Sequence, residues 1–279
     1  MEPAKGTGAM SPQEIKQVIK EKYTRVVVPS KDEAGSCCCG TGSSCCSPEL
    51  STFSENYDHL EGYVPEADFG LGCGIPTMFA DIKKGDYVLD LGSGAGNDCF
   101  IAAGIVGESG LATGLDFTDA MVEKARSNAN KRGFINVEFV KGDIEDMPLP
   151  TAYYDVVISN CVLNLVPDKE RAFAQIKRVL KPTGHFCVSD VVTKGELPAE
   201  LREDAEMYAG CVSGAVRKEE YLEIIKKQGF KNITVCKENE IVLPQEVIDK
   251  YYTVTEQQDK SSERGIFSIT VTASANVSY

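Results

Sequence analysis

Short apolar runs alternate with amphipathic stretches through the middle of the chain. The apolar runs have the length of buried strands and occupy residues 87–90, 111–116, 137–140, 156–159 and 185–192. The stretches between them have helical spacing, most clearly in residues 168–180, whose apolar stripe consists of Ala172, Phe173, Ile176, Val179 and Leu180. Strands that alternate regularly with helices predict an α/β fold with a doubly wound, mostly parallel sheet.

The segments that flank this pattern are less regular. Ser11, Pro12 and Glu14 belong to a capping box with proline at the first helical position, which predicts a polar surface helix through about Thr24. Residues 29–48 are rich in Gly, Ser, Pro and Cys, and predict a mobile loop. Beyond the core, helices are expected at residues 199–208 and 217–228, and strands at residues 233–236 and 265–271. The pattern does not place the last strand in a sheet. Three regions follow: an N-terminal helix and Cys-rich loop at 1–65, a core at 66–195, and C-terminal helices and strands at 196–279.

Charge and composition disfavour several classes of function. The 279 residues include 42 acidic and 29 basic side chains, and the net charge of -13 disfavours nucleic acid or an anionic membrane as partner. The N-terminus lacks the apolar core of a signal peptide and no run is long enough to cross a bilayer, so we expect a cytoplasmic protein. The only histidines are His59 and His185, and catalysis by an imidazole base is therefore not expected.

A glycine-rich turn joins the first strand to the next helix. Asp90 ends the strand, and Gly92, Gly94 and Gly96 have the spacing G-x-G-x-G, which allows a tight turn and close approach to a ligand. Asn97 stands where a dinucleotide-binding fingerprint needs glycine or alanine, which argues against NAD or FAD. Together with Asp90, the loop resembles motif I of the class I S-adenosylmethionine methyltransferases.

Two acidic residues at the ends of the next strands agree with that resemblance. Asp116 ends the second strand, where its carboxylate can accept hydrogen bonds from both hydroxyls of a ribose. Asp143 follows the third strand, where it can meet an adenine amino group. Ligands of open α/β sheets bind at the carboxyl ends of the strands. We therefore expect S-adenosylmethionine to bind at this edge.

Eleven cysteines are many for a protein of a reducing compartment, where they indicate metal binding, redox chemistry or catalysis. Three have apolar neighbours and are expected to be packing residues, namely Cys99, Cys187 and Cys236. Five lie in the Cys-rich loop, where thiols can bind soft metal ions although the spacing is not that of a zinc finger: Cys37, Cys38, Cys39, Cys45 and Cys46.

The remaining three cysteines have a different setting. Cys73 is flanked by glycines ahead of the first strand, Cys161 follows the fourth strand, and Cys211 lies in a glycine-flanked break between helices. If these thiolates converge, they form a soft trigonal site for Zn(II), Cu(I), or trivalent arsenic or antimony. Zinc normally takes a fourth ligand, and no histidine lies near these motifs. A trivalent metalloid takes three thiolates and keeps a lone pair, which can attack a methyl group without a base.

The segments around these three cysteines carry a specific resemblance. They are similar to motifs of the microbial arsenite S-adenosylmethionine methyltransferases, at residues 70–74, 159–169 and 208–215, and the similarity runs from about Gln13 to Phe230. It implies a Rossmann-like class I methyltransferase fold and an enzyme that methylates arsenite and then methylarsenite, in arsenic detoxification. It also implies a thiol reductant such as glutathione or thioredoxin, and neither a nucleic-acid nor a membrane partner.

The resemblance implies roles for single residues. Cys161 and Cys211 hold trivalent arsenic throughout, and Cys73 is the third ligand for arsenite or, during turnover, forms a disulfide with an N-terminal cysteine. The candidates for that N-terminal partner are Cys45, Cys46 and residues 37–39. The implied cofactor contacts, with Asn160 beside the methionine part, are Asp90, Gly92, Gly94, Gly96, Asp116, Phe117, Asp143, Ile144 and Asn160. Residues 196–279 then supply arsenic-binding helices.

Two departures and two rival functions remain open. Leu71 stands where some relatives have tyrosine. Some relatives also have a longer C-terminal domain, and the resemblance assigns no role to about the last 40 residues of this chain. A small-molecule C- or O-methyltransferase with structural cysteines would use the same fold. A thiol-based metalloid sensor or buffer would bind through the Cys-rich loop without consuming S-adenosylmethionine.

Overall fold

Residues 11–28, 55–198, 201, 212, 214–243, 245–251 and 265–276 are described by the computed structural model. Within them one sheet contains the strands β1 (Tyr87–Leu91), β2 (Leu111–Asp116), β3 (Val137–Lys141), β4 (Tyr154–Asn160), β5 (Leu180–Lys194), β6 (Lys231–Ile241) and β7 (Gly265–Ser274). Their order across the sheet is β3-β2-β1-β4-β5-β7-β6. The strands β1 to β5 pair in parallel, whereas β7 is antiparallel to both of its neighbours.

Helices cover both faces of the sheet. In the described residues they are α1 (Pro12–Val27), α2 (Asn97–Val106), α3 (Asp119–Arg132), α4 (Lys169–Val179), α5 (Lys218–Lys227) and α6 (Gln245–Tyr251). Phe100 of α2 and Met121 of α3 pack with Val156 of β4 on one face. Phe173 of α4 and Tyr221 of α5 pack on the opposite face, where the next residue of β4 points. The predicted doubly wound, mostly parallel α/β fold is confirmed.

The C-terminal strand completes the sheet. β7 pairs with β5 along its whole length, with Val188 opposite Val271. Ile269, Val271 and Ala273 are buried at alternate positions in the core. The alternation was visible in the sequence, but the partner strand lies about 80 residues away, so only the structure identifies it. No helix of the described part of the chain is long and apolar enough to cross a membrane.

Helix α1 has the predicted N-terminus but a different environment. The side chain of Ser11 accepts a hydrogen bond from the backbone of Glu14, and the Glu14 side chain accepts one from the backbone of Ser11, which completes the capping box. The predicted surface helix is present, but it is docked on the core through Ile19, which is buried in the cluster that contains Cys73 and Cys161. The packed face consists of apolar residues at every fourth position, Ile15, Ile19 and Tyr23. The other positions of the helix are mostly polar, so the composition of the segment as a whole did not indicate a packed face.

Other boundaries differ only locally. β5 begins at Leu180, five residues before the predicted start, and its pairing with β4 shifts between Tyr154 and Val156. Helix α6 was not predicted. The predicted loop at residues 29–48 lies outside the described residues, as does all but one residue of the helix expected at 199–208.

Candidate active site

A pocket opens at the carboxyl ends of β1, β2 and β4, the edge at which the sequence predicts the cofactor. Its wall includes the glycine loop, residues that follow β2 and β3, and the start of the segment after β4. Eight of the nine predicted cofactor contacts line it: Asp90, Gly92, Gly94, Asp116, Phe117, Asp143, Ile144 and Asn160. Gly96 is not part of the wall and lies where the loop enters α2.

The three glycines of the loop have positive φ angles for different reasons. A Cβ at Gly92, where φ is +64°, would lie 2.5 Å from Val162. A Cβ at Gly96, where φ is +102°, would lie 2.8 Å from the ring of Phe100. Gly94, where φ is +52°, has only the sulfur of Met121 near its missing Cβ, at 3.9 Å. Gly92 and Gly96 thus permit packing of the protein, whereas Gly94 leaves space beside the pocket.

Asp116 joins the loop to the second strand. Its Oδ2 accepts a hydrogen bond from the backbone N–H of Gly94 at 3.0 Å, and its Oδ1 accepts one from Thr118 at 2.8 Å. Burial raises the pKa of Asp116, and the two backbone N–H groups oppose that rise. Each carboxylate oxygen has a second lone pair, so Asp116 keeps acceptor capacity toward the pocket.

Asp143 is held by a helix that the sequence did not connect with the site. Lys16 of α1 donates to Asp143 Oδ2 at 2.6 Å and also to Glu145, while the backbone N–H of Glu145 donates to Asp143 Oδ1 at 2.9 Å. Lys16, Ile19 and Tyr23 therefore form one side of the pocket. The spacing of Ile15, Ile19 and Tyr23 was the available signal, but it does not reveal the partner of Lys16.

The floor of the pocket contains buried polar atoms with no hydrogen-bond partner among the described residues. Four of these atoms belong to residues that line the pocket, namely Asp90 Oδ2, Ser93 Oγ, Asn97 Oδ1 and Asp98 Oδ1. Burial raises the pKa of Asp98 to about 6. Burial, together with the charges of Asp98 and Asp116, raises the pKa of Asp90 well above its usual range. A ligand with a positive charge and N–H donors fits these acceptors, and S-adenosylmethionine has both an ammonium and a sulfonium group.

Asn160 lies at the pocket, but its hydrogen bonds run toward the Cys73 segment. Its Oδ1 accepts from the backbone N–H of Cys73 at 3.0 Å. Its Nδ2 donates to Gly74 O at 2.8 Å, to the hydroxyl of Tyr57 at 2.6 Å and to Asp98 Oδ2 at 3.1 Å. Sequence reasoning missed both Tyr57 and Asp98, because neither belongs to a recognisable motif.

Two of the three predicted arsenic ligands meet in one apolar cluster. Cys73 and Cys161 are 2% and 5% exposed, and both pack in the cluster that includes Ile19 and Val212. Cys161 also lines the pocket and has φ of +59°, a strained angle for a residue other than glycine. Cys211 lies outside the described residues, but the next residue, Val212, is fully buried in this cluster. The described residues contain no group of three potential metal ligands.

The other cysteines divide between core and surface. Cys99 and Cys187 are fully buried, as expected for packing residues. Cys236 is exposed on β6, so its assignment to the core is wrong; β6 is an edge strand, and apolar neighbours in sequence do not ensure burial there. Cys45 and Cys46 lie outside the described residues, as do residues 37–39.

A buried acid and phenol lie beside the thiol cluster. The hydroxyl of Tyr221 donates to Asp190 Oδ2 at 3.0 Å, and both residues are buried. Burial raises the pKa of Asp190 to about 7. Burial and the negative charge of Asp190 raise the pKa of Tyr221 well above its usual range. Asp190 follows Ser189, whose carbonyl accepts a hydrogen bond from the backbone N–H of Cys161 at 2.7 Å.

Comparison with known proteins identifies the family to which this fold and pocket belong. A family model described as a methyltransferase domain matches residues 82–229. An arsenite methyltransferase of Halobacterium salinarum is 37% identical over 241 residues, which are 82% of this chain and 60% of that protein. The arsenite methyltransferase of Homo sapiens is 34% identical over 231 residues, which are 80% of this chain and 60% of that protein.

A solved structure agrees with the sequence comparison. The crystal structure of an arsenic(III) S-adenosylmethionine methyltransferase from Chlamydomonas reinhardtii superposes with a TM-score of 0.60 at 36% identity, covering 72% of this chain and 66% of that chain. The order of strands and the final antiparallel pair are therefore those of a class I methyltransferase fold. The chain spans 60% of the length of the two relatives named above.

Proposed function

The chain belongs to the methyltransferase-domain family, and on that basis we propose that it transfers methyl groups from S-adenosylmethionine to trivalent arsenic held by cysteine thiolates. The substrate is arsenite in the first transfer and methylarsenite in the second. One observation carries the proposal most strongly: the buried thiols of Cys73 and Cys161 share one cluster at the edge of the acidic pocket. The relatives named above, both arsenite methyltransferases, support the choice of substrate.

The pocket binds the methyl donor through acceptors on three strand ends. Asp116 receives the ribose hydroxyls, Asp143 lies at the adenine, and Gly94 lets the donor approach the loop. The buried acceptors Asp90 and Asp98 suit its positive charge. When bound, S-adenosylmethionine supplies a methyl group on a sulfonium, and an arsenic lone pair can accept that group without a general base.

The cysteines hold the substrate so that its lone pair stays available. Each thiol replaces one hydroxyl of arsenite: a sulfur–arsenic bond forms, an arsenic–oxygen bond breaks, and the thiol proton leaves with the hydroxyl as water. Cys161 and Cys211 hold arsenic in both stages, and Cys73 is needed only for arsenite. The absence of both histidines from the pocket wall is compatible with this chemistry.

Each region of the chain has a separate part in the proposal. Residues 66–195 supply the acceptors for the methyl donor, with Lys16, Ile19 and Tyr23 of the N-terminal region on one side of the pocket, and residues 196–279 supply Cys211. Donation of the lone pair to the methyl group takes arsenic from the trivalent to the pentavalent level. Residues 1–65 supply a cysteine, drawn from Cys45, Cys46 or residues 37–39, that forms a disulfide with Cys73, and the two electrons released return the methylated arsenic to the trivalent state that the second transfer needs. A thiol reductant such as glutathione or thioredoxin then restores both thiols by exchange with that disulfide.

Serine substitutions test the proposal, with Cys236→Ser as the matched control because Cys236 is exposed and distant from the pocket. Methylation of arsenite and of methylarsenite is measured separately for each variant. Cys161→Ser and Cys211→Ser are expected to lose both activities, whereas Cys73→Ser loses only the first. Survival of both activities in Cys161→Ser, at the level of the control, would contradict the thiolate site.

A further inference from the structure

Asp98 connects the cofactor pocket with the segment that contains Cys73. It is the second residue of α2, is 8% exposed and lines the pocket. Its Oδ2 accepts from the hydroxyl of Tyr57 at 3.2 Å and from Nδ2 of Asn160 at 3.1 Å. Its Oδ1 is buried without a hydrogen-bond partner among the described residues. Since Oδ2 is occupied, Oδ1 is the atom that remains for a ligand.

The two side chains that contact Asp98 also hold the backbone around Cys73. The hydroxyl of Tyr57 donates to Gly74 O at 2.9 Å, and Nδ2 of Asn160 donates to the same carbonyl at 2.8 Å. The Oδ1 of Asn160 accepts from the N–H of Cys73 at 3.0 Å. The carboxyl of Asp98 therefore contacts both side chains that hold the Cys73 segment.

This network has fewer donor protons than acceptors, so Gly74 O and Asp98 Oδ2 compete for the protons of Tyr57 and Asn160. Tyr57 has one hydroxyl proton but two acceptors, Gly74 O and Asp98 Oδ2. Asn160 has two amide protons but three acceptors, since it also donates to the Tyr57 oxygen. An unneutralised carboxylate at Asp98 attracts these protons away from Gly74 O, because hydrogen bonds to charged groups are the stronger ones. A cation at Asp98 relieves that competition.

We propose that Asp98 binds the ammonium group of the methyl donor's amino-acid part, and that this contact tightens the hold of Tyr57 and Asn160 on the Cys73 segment. The inference rests on the proposed function, because it assumes that S-adenosylmethionine occupies the pocket. The ammonium supplies the N–H donor that Oδ1 lacks, whereas the sulfonium has none. Because coupling is reciprocal, a cofactor-filled site holds Cys73 in place for the metalloid, and an empty one holds it less tightly.

The affinity test uses S-adenosylhomocysteine, which has the ammonium group, and 5′-methylthioadenosine, which lacks the amino-acid part. In calorimetric titrations, Asp98→Asn is expected to bind S-adenosylhomocysteine at least about tenfold more weakly than wild type, since a hydrogen bond to a charged group contributes about 1.5–3 kcal/mol. Its affinity for 5′-methylthioadenosine should be unchanged. Equal affinity of wild type and variant for S-adenosylhomocysteine would overturn the inference, as would an equal loss for both ligands, which would indicate a structural role.

Hydrogen exchange of the peptide across residues 70–79 tests the coupling without a substitution at Asp98. S-adenosylhomocysteine should slow exchange there in wild type, whereas saturating 5′-methylthioadenosine should not. At saturating S-adenosylhomocysteine, Tyr57→Phe should lose the slowing, because phenylalanine lacks the hydroxyl that joins Asp98 to Gly74 O. Equal slowing by both ligands, or its retention in Tyr57→Phe, contradicts the coupling. Failure of wild type to bind S-adenosylhomocysteine at all would instead refute the proposed function.

Discussion

Gly94 distinguishes a glycine needed for folding from a glycine needed for a ligand. Its φ is +52°, and a Cβ there would meet only the sulfur of Met121, at 3.9 Å. Alanine in a left-handed conformation costs about 1–2 kcal/mol, and no clash within the protein adds to this cost. Gly94→Ala should therefore fold, with a Tm lowered by roughly a few degrees for a domain of this size.

Binding should respond much more strongly than stability. Gly94 lines the pocket, so the added methyl group occupies space that the proposed cofactor needs against the loop. A displacement that costs about 1.4 kcal/mol already weakens binding tenfold, and we expect at least that loss. Gly133→Ala is the matched control: Gly133 has φ of +72° at the end of α3, nothing lies within 4 Å of its missing Cβ, and it is not part of the pocket wall.

The assay combines scanning calorimetry with titration of S-adenosylhomocysteine into all three proteins. The two variants should lose similar stability, but only Gly94→Ala should lose affinity. If Gly94→Ala bound the ligand as tightly as Gly133→Ala, the assignment of the glycine loop to cofactor binding would be refuted. If Gly94→Ala lost far more stability than the control, the loop would be a packing element instead.

Two further predictions concern buried charge. With a folded pKa of about 7 against an ordinary value of 3.8, Asp190 contributes stability below pH 3.8 that is lost as pH rises through 7. Urea unfolding should show wild type losing about 2–3 kcal/mol more than Asp190→Asn between pH 5 and pH 8, and parallel pH profiles would contradict this. Lys16→Met leaves the nearly buried Glu145 without its cation and should cost about 1–3 kcal/mol, with faster hydrogen exchange in α1. Lys20→Met, which removes an exposed ion pair with Asp119, should lower the free energy of unfolding by less than about 1 kcal/mol. Equal destabilisation by the two substitutions would contradict the claim that burial of Glu145 makes the Lys16 pair the stronger one.

The sequence was sufficient for the parallel strands and for the sheet edge at which the pocket lies, because both depend on short-range patterns. Apolar runs and glycine spacing are local, and parallel strands bring Asp116 and Asp143 to one edge without knowledge of side-chain contacts. The pairing of β7 with β5 is different. It joins segments about 80 residues apart, and alternation alone is compatible with several positions in a sheet.

The hydrogen bonds among Asp98, Tyr57 and Asn160 could not be predicted from the sequence for a similar reason. The contacts of Asp98 with Tyr57 and Asn160 join segments separated by 41 and 62 residues. Each of these residues is unremarkable by itself, since an acid at a helix N-terminus normally stabilises the helix. Cys236 was wrongly predicted to be buried, because its neighbours in sequence are apolar but its strand lies at the edge of the sheet and the thiol is exposed.

The central claim is that thiolates beside this pocket present trivalent arsenic to a methyl donor. Its most direct test is mass spectrometry of arsenic species after incubation of the chain with arsenite, deuteromethyl S-adenosylmethionine and a thiol reductant. The account predicts arsenic that carries deuterated methyl groups from wild type and from Cys236→Ser, and none from Cys161→Ser. Unmethylated arsenic as the sole species, from wild-type protein that binds S-adenosylhomocysteine, would contradict it.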